Sequence, residues 1–177
     1  MKLLILGPPG TGKGTQGKQL SKLLNLTYLS TGELFRQEYQ NKTLLGLEAY
    51  SYWGNGNLVP DEVTIRFVHT FLPSDNFLLD GYPRTLKQAV LHEEKYSINK
   101  AIYLHTPNEL LILRLLKRAE LENRPDDTLL SIQNRLLIYE QETKPLLAFY
   151  KTKLLPIDGN KERHLVLEDI LHHLRNI

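Results

Sequence analysis

The chain predicts a doubly wound α/β fold, a parallel sheet with flanking helices, and three observations carry that expectation. Short apolar runs that end in Gly, Pro or Asp recur along it, and segments of helical periodicity separate them. The first run is followed by a glycine-rich turn that opens a helix. Strands alternating with helices form βαβ units with right-handed crossovers.

Leu3 to Leu6 is wholly apolar and stops at Gly7-Pro8-Pro9, the pattern of a strand buried on both faces of a parallel sheet. From Thr15 the pattern turns helical, with Leu20, Leu23 and Leu24 on one face. A second helix is expected from Glu33 to Gln40. A third follows Pro60-Asp61, a start signal ahead of Val63, Phe67, Val68 and Phe71. Between them Gly54-Asn55-Gly56-Asn57 reads as a turn inside the domain. Phe77-Leu78-Leu79, closed by Asp80-Gly81, and Ala101-Ile102-Tyr103-Leu104 are further strands, and Asn108 to Arg118 is a leucine-rich helix. A long helix from about Asp126 is expected to bury Leu129, Ile132, Leu136 and Tyr139. Leu154 to Ile157 makes a last strand before a terminal helix carrying Leu167, Ile170, Leu171 and Leu174. No repeat or linker interrupts the series, so residues 1–177 are expected to form a single domain.

Composition removes several classes. Hydrophobic residues at 41% and charged residues at 24% exclude intrinsic disorder. The absence of cysteine excludes disulfide scaffolds, cysteine-ligated zinc and thiol catalysis. A net charge of +2 is far from that of a dedicated nucleic-acid binder. No apolar run approaches the roughly 18 residues of a membrane span. The opening Met1-Lys2-Leu3-Leu4-Ile5-Leu6 stops too soon for a signal peptide, so a cytoplasmic location is expected. No exposed apolar stripe stands out, which makes a monomer the default. The six histidines fall outside the motifs and are expected at surface or terminal positions.

Gly7-Pro8-Pro9-Gly10-Thr11-Gly12-Lys13 matches the G-x-x-x-x-G-K core of a phosphate loop, placed after an apolar strand and before a helix. Its glycines let successive N–H groups turn inward on phosphate oxygens, the following helix adds a positive N-terminus, and Lys13 adds a full charge. The residue after the lysine, usually a Ser or Thr whose hydroxyl ligates Mg²⁺, is Gly14, with Thr15 next. Lys13, Arg36, Arg84, Arg118, Arg124 and Arg135 form a set of cations with no histidine among the motifs. Phosphoryl transfer to an acceptor that is already an anion needs positioning and charge neutralisation rather than a strong base. Arginine suits this work through its bidentate fork. Arg114 and Arg118 share a helix face, and Arg124 and Arg135, about three turns apart, are expected to align as well.

Four ordered segments then carry a resemblance. Gly12-Lys13-Gly14-Thr15 is similar to the Gly-Lys-Gly-Thr of the adenylate kinase family. Ser30-Thr31-Gly32-Glu33-Leu34-Phe35-Arg36 resembles its Ser-Thr-Gly-Asp-x-x-Arg, with Glu33 for Asp. Gly56-Asn57-Leu58-Val59-Pro60-Asp61-Glu62 resembles its Gly-x-Leu-Val-Pro-Asp-Glu. Asp80-Gly81-Tyr82-Pro83-Arg84 with Gln88 resembles its Asp-Gly-Phe-Pro-Arg and following Gln. Arg114, Arg118, Arg124-Pro125-Asp126-Asp127 and Arg135 repeat its arginine set, and Asp158-Gly159 its closing pair, so the likeness runs from about Lys2 to Lys161.

The resemblance implies a fold for binding nucleoside triphosphates and the reversible reaction of MgATP with AMP to give two ADP. Gly10, Thr11, Gly12, Lys13, Gly14, Thr15, Arg114, Arg118 and Lys161 would bind ATP. Thr31, Arg36, Asn57, Leu58, Val59, Gly81, Tyr82, Pro83, Arg84 and Gln88, with Arg124 and Arg135, would bind AMP. Lys13, Arg84, Arg118, Arg124 and Arg135 would act on the phosphates in transfer, and Asp80 would hold water-bound Mg²⁺, without zinc. The AMP-binding segment would span about 30–60. Residues 119–123 would form a short lid, with Glu122-Asn123 where short-lid relatives tend to have Ser-Gly, and Glu122 would compete for the neighbouring arginine. Two alternatives share these motifs: a UMP/CMP-type kinase, and a non-catalytic nucleotide-sensing module. The expected partners are ATP and AMP or ADP, with neither nucleic acid nor membrane.

Overall fold

The computed structural model describes residues 1–122, 124 and 127–175. Five strands, β1 (Lys2–Leu6), β2 (Thr27–Ser30), β3 (Phe77–Asp80), β4 (Lys100–His105) and β5 (Leu154–Asp158), pair in parallel in the order β2-β3-β1-β4-β5. The helices between them are α1 (Lys13–Leu24), α2 (Thr31–Gln40), α3 (Leu44–Trp53), α4 (Asp61–Phe71), α5 (Leu86–Lys95), α6 (Asn108–Glu122), α7 (Leu129–Ile138), α8 (Leu146–Phe149) and α9 (Arg163–Arg175). The connection leaving β1 runs toward β2, and the one leaving the adjacent β4 runs toward β5. Loops at the carboxyl ends of these two strands therefore part and leave a crevice, the usual ligand position in such sheets.

The two-residue period of β1 explains why it is apolar throughout. Leu3 and Ile5 pack with Leu20, Val166 and Ile170 of α1 and α9, while Leu4 and Leu6 pack with Val68, Ala89 and Leu146 of α4, α5 and α8. A third cluster of Phe35, Ala49, Val59 and Phe67 ties α2, α3 and α4 into a lobe of their own. Gly46 allows that lobe to form, because a Cβ there would lie 2.2 Å from the Glu38 backbone carbon.

Several elements differ from the sequence reading. The strand β2 was not expected: only Leu29 of its four residues is buried, so an edge strand shows no apolar run. Helix α3 was also missed, since leucines and aromatic residues surround it and leave no polar face. Helix α5, on which Gln88 sits, completes the unread elements. Leu23, Leu129 and Phe71, expected in buried faces, are exposed by half or nearly so. The single long helix expected from about Asp126, which lies outside the described residues, is divided. Helix α7 starts at Leu129 with the Thr128 hydroxyl accepting from the Ser131 N–H. A π turn, Tyr139–Thr143, and the short α8 follow. Arg124 and Arg135 therefore do not share a helix. Exposed Leu113 and Leu121 on α6, and Leu130 and Leu137 on α7, make the surface less uniformly polar than expected.

His92 departs furthest from expectation. It is fully buried, stacked on Tyr96 with ring centroids 5.3 Å apart, and burial pulls its pKa down to about 4, so it is neutral at pH 7. Among the described residues, no helix is long and apolar enough to cross a membrane.

Candidate active site

The loop between β1 and α1 opens the crevice. Gly7 has a φ of +144°, and a Cβ on it would lie 2.4 Å from the Leu104 carbonyl oxygen of β4, so only glycine lets the loop pass so close. The N-terminal end of α1 has no side-chain cap, which leaves its first N–H groups for an anion. Lys13 folds back so that Nζ donates to the carbonyl oxygens of Gly7 and Pro8 at 2.8 and 2.9 Å. Burial, with Arg84, Arg118 and Arg135 adding to it and Asp80 opposing, lowers its pKa to about 8, and it stays charged at neutral pH.

Asp80, at the end of β3, is 8% exposed and faces the same cleft, which measures about 800 Å³. Its Oδ2 accepts from the Tyr28 hydroxyl at 2.8 Å. Gly14 lies beside this pair, where a Cβ would sit in ordinary contact, 3.6 Å from the Tyr28 hydroxyl and 3.7 Å from Asp80 Oδ2. One carboxylate fastened by a neutral donor, beside a phosphate loop, fits a magnesium ion held mostly by water and nucleotide phosphates.

On the far wall, α6 and α7 supply the arginines. Arg118 donates from Nε and Nη2 to Asp127 Oδ2 and Oδ1 at 2.7 and 2.9 Å, and Arg135 Nη2 donates to Oδ1 of the same buried carboxylate. Arg124 pairs with Glu122, two positions before it, at 2.6 Å. Arg114 donates to the Gly159 carbonyl at 3.0 Å, and Lys161 Nζ donates to Asp169 Oδ2 at 2.6 Å. All five cations line the cleft. Burial also pulls the pKa of Arg118 below its ordinary value, with Asp127 opposing.

A second, smaller cavity of about 70 Å³ adjoins it, lined by Thr31, Arg36, Trp53, Val59, Arg84 and Gln88 among others. Thr31, 2% exposed, donates to the Gly81 carbonyl at 2.8 Å. Gln88 is equally buried; its Nε2 donates to Asp61 Oδ1 at 2.7 Å, and its Oε1 accepts from the Arg84 N–H at 2.7 Å. Asp61 Oδ2 also accepts from the Thr85 hydroxyl. Arg84 Nε donates to the Gly81 carbonyl, and the Arg84 carbonyl accepts from Thr143 in the π turn. Arg36, Arg84 and Arg135 line both cavities, so a cationic strip joins them.

A family model described as adenylate kinase matches residues 5–155 of this chain. The chain belongs to the adenylate kinase family. An adenylate kinase of Cyanothece sp. is 42% identical over 97% of this chain and 93% of its own length. One of Micrococcus luteus is 40% identical, covering 99% and 91%, and one of Clostridium tetani is 38% identical, covering 96% of each.

As a member of that family, the chain brings nearly all of its sequence-expected residues into the two cavities. Asn57, Leu58 and Val59 line the small cavity with Gly81, and Gly10 to Thr15 and Pro83 line the large one. Tyr82 differs: its ring is buried in the core against His69 and His92 and lines neither cavity. Asn123 of the expected lid lies outside the described residues, as do Pro125 and Asp126 of the arginine-acid run. Sequence reasoning missed four contributors, namely Tyr28, Asp61, Trp53 and Asp127. Asp61 and Asp127 stand inside quoted motifs, which was the available signal for them. Tyr28 and Trp53 had none, since only folding brings them to the site.

Proposed function

We propose that this adenylate kinase family member transfers the γ-phosphoryl group of MgATP reversibly to AMP, yielding two ADP. The observation that carries the reading is the cationic strip of Arg36, Arg84 and Arg135 joining a phosphate-loop cleft to a small cavity bearing Thr31 and Gln88. ATP phosphates would lie on residues 10–15, with Lys13 releasing its two carbonyls to meet them and Arg114 and Lys161 on the nucleoside side. AMP would enter the small cavity, its phosphate on Arg36 and Arg84. Arg118, Arg124 and Arg135 would neutralise the equatorial oxygens in transfer, leaving no step that needs a general base. Asp80, positioned by Tyr28, would hold Mg²⁺ through water, and the ion would supply charge neutralisation between the phosphates.

Residues 119–123 are read as a short lid in one continuous domain. The reading rests on the five residues that separate Arg118 from Arg124. The proposal extends to a cytoplasmic monomer acting on free nucleotides, and sedimentation velocity tests the monomer. Gln88 keeps one amide hydrogen and one lone pair for adenine beyond its two bonds to protein. A coupled assay with ATP and each of AMP, CMP and UMP tests the reading. We expect kcat/KM for AMP to exceed the others by about 10²-fold, roughly 3 kcal/mol. Equal use of the three would refute AMP as the acceptor, and no turnover with any would leave a sensor.

A further inference from the structure

We propose that Trp53 is a movable wall of the small cavity that takes the nucleobase against its ring and donates its indole N–H to it. The inference rests on reading that cavity as the AMP site.

Trp53 is the last residue of α3 and lines the cavity from its apolar side, where it packs against the cluster of Phe35, Val59 and Phe67. Arg36, Arg84 and Arg135 line the same cavity, so with the phosphate on the arginines the base would meet the tryptophan. An aromatic frame supports it. Tyr39 and Tyr50 stack at 4.1 Å, and Trp53 meets them edgewise at 5.8 and 4.8 Å. Such a frame restricts the ring to a few orientations without charge or hydrogen bonds to break.

Two observations point to motion and a missing partner. The cavity is narrow, about 70 Å³, and a wall that moves aside would widen it for a base. Thr31, Gln88, Phe35 and Val59 are buried, and the first two are also tied by hydrogen bonds to Gly81 and Asp61. Trp53 is only partly buried, at a helix end followed by Gly54. Its Nε1 is nevertheless enclosed with no acceptor. A buried donor without a partner is unfavourable, and an N–H directed at a tyrosine face recovers only part of what an oxygen or nitrogen acceptor gives. Ring nitrogens and carbonyl oxygens of a nucleobase are acceptors of the required kind. Opening the wall thus pairs the orphan donor as it admits the base, and the binding energy falls on the acceptor nucleotide rather than on ATP.

Trp53 is the single tryptophan of the chain, so its emission reports this site alone. The experiment titrates the unmodified protein with AMP, without ATP, by calorimetry and by tryptophan emission, then repeats calorimetry and kinetics with Trp53→Phe. We expect a saturable emission change at the calorimetric Kd. In the variant, Kd and KM for AMP should rise about tenfold, the loss of one good hydrogen bond, with the effect on KM for AMP rather than on kcat or KM for ATP. AMP binding with unchanged emission overturns the inference, as does a folded Trp53→Phe protein that binds AMP as tightly as the parent. If circular dichroism shows the variant unfolded, the emission titration of the parent decides alone. Absence of AMP binding to the parent overturns the reading of the cavity itself, and this inference with it.

Discussion

The phosphate loop and the arginine wall face each other across one cleft, yet they hold their charges in opposite ways. Lys13 rests on two neutral carbonyl oxygens of its own loop, so it can turn to a phosphate without parting from a counter-charge. Arg118 and Arg135 share the buried Asp127 carboxylate, and Arg124 holds Glu122. Phosphates must either join or displace those carboxylates. The loop is thus ready before nucleotide arrives, whereas the wall has its charges partly offset by carboxylates and responds to anything that changes those pairings.

The largest test of this contrast removes the loop's cation. Lys13→Met keeps the stem and should fold normally by circular dichroism. Its turnover should fall by roughly 10²-fold or more, about 3 kcal/mol of transition-state stabilisation. Near-normal turnover would remove the loop from the mechanism.

The wall should break differently, through stability as well as rate. Asp127→Asn leaves Arg118 and Arg135 close together without their shared carboxylate. Because both guanidinium groups are partly solvated, the loss should be about 2 kcal/mol, below the range for fully buried pairs, or roughly 5 °C in Tm by calorimetry. An unchanged Tm would show that the carboxylate does not hold the wall together.

Proton linkage separates the two regions further. The free Lys13 has a pKa near 8, below its ordinary value, so raising the pH through 8 neutralises it before nucleotide binds. ATP affinity should then weaken about tenfold by pH 9. AMP affinity, resting on arginines, should stay level over that interval, measured by calorimetry with each nucleotide alone. In the same window the linkage to folding has the opposite sign. The unfolded chain binds the extra proton between about 8 and 10.5, so this lysine adds stability as pH rises.

The smallest expected effect belongs to the outermost pair. Glu122 is half exposed, and an exposed ion pair is worth up to about 1 kcal/mol. Glu122→Gln should therefore raise kcat by at most about fivefold, by freeing Arg124 for phosphate. A fall in kcat would mean that the carboxylate positions the arginine instead of competing for it.

How much of this was legible in sequence follows the same division. Residues 7–15 act through consecutive backbone groups, so their spacing alone declared them, as did the apolar strands that carry them. The arginines could be named but not paired, because Asp127 meets Arg118 and Arg135 only after α6 and α7 pack. Reading Arg124 and Arg135 along one helix failed for that reason, and α7 begins beyond Arg124. Gln88 could pass for an exposed helix residue until Asp61, 27 positions away, was seen to hold it. Trp53 could be assigned nothing, since helix α3 has no polar face to orient it.

Sequence by itself determined the parallel sheet, the phosphate loop and the inventory of cations, because local periodicity and a contiguous motif encode them. Tertiary structure decided which carboxylate balances which arginine, which hydroxyl holds Asp80, and which aromatic ring closes the small cavity. Those pairings join residues far apart in the chain, and the free energy that selects them appears only when packing excludes water from both partners at once.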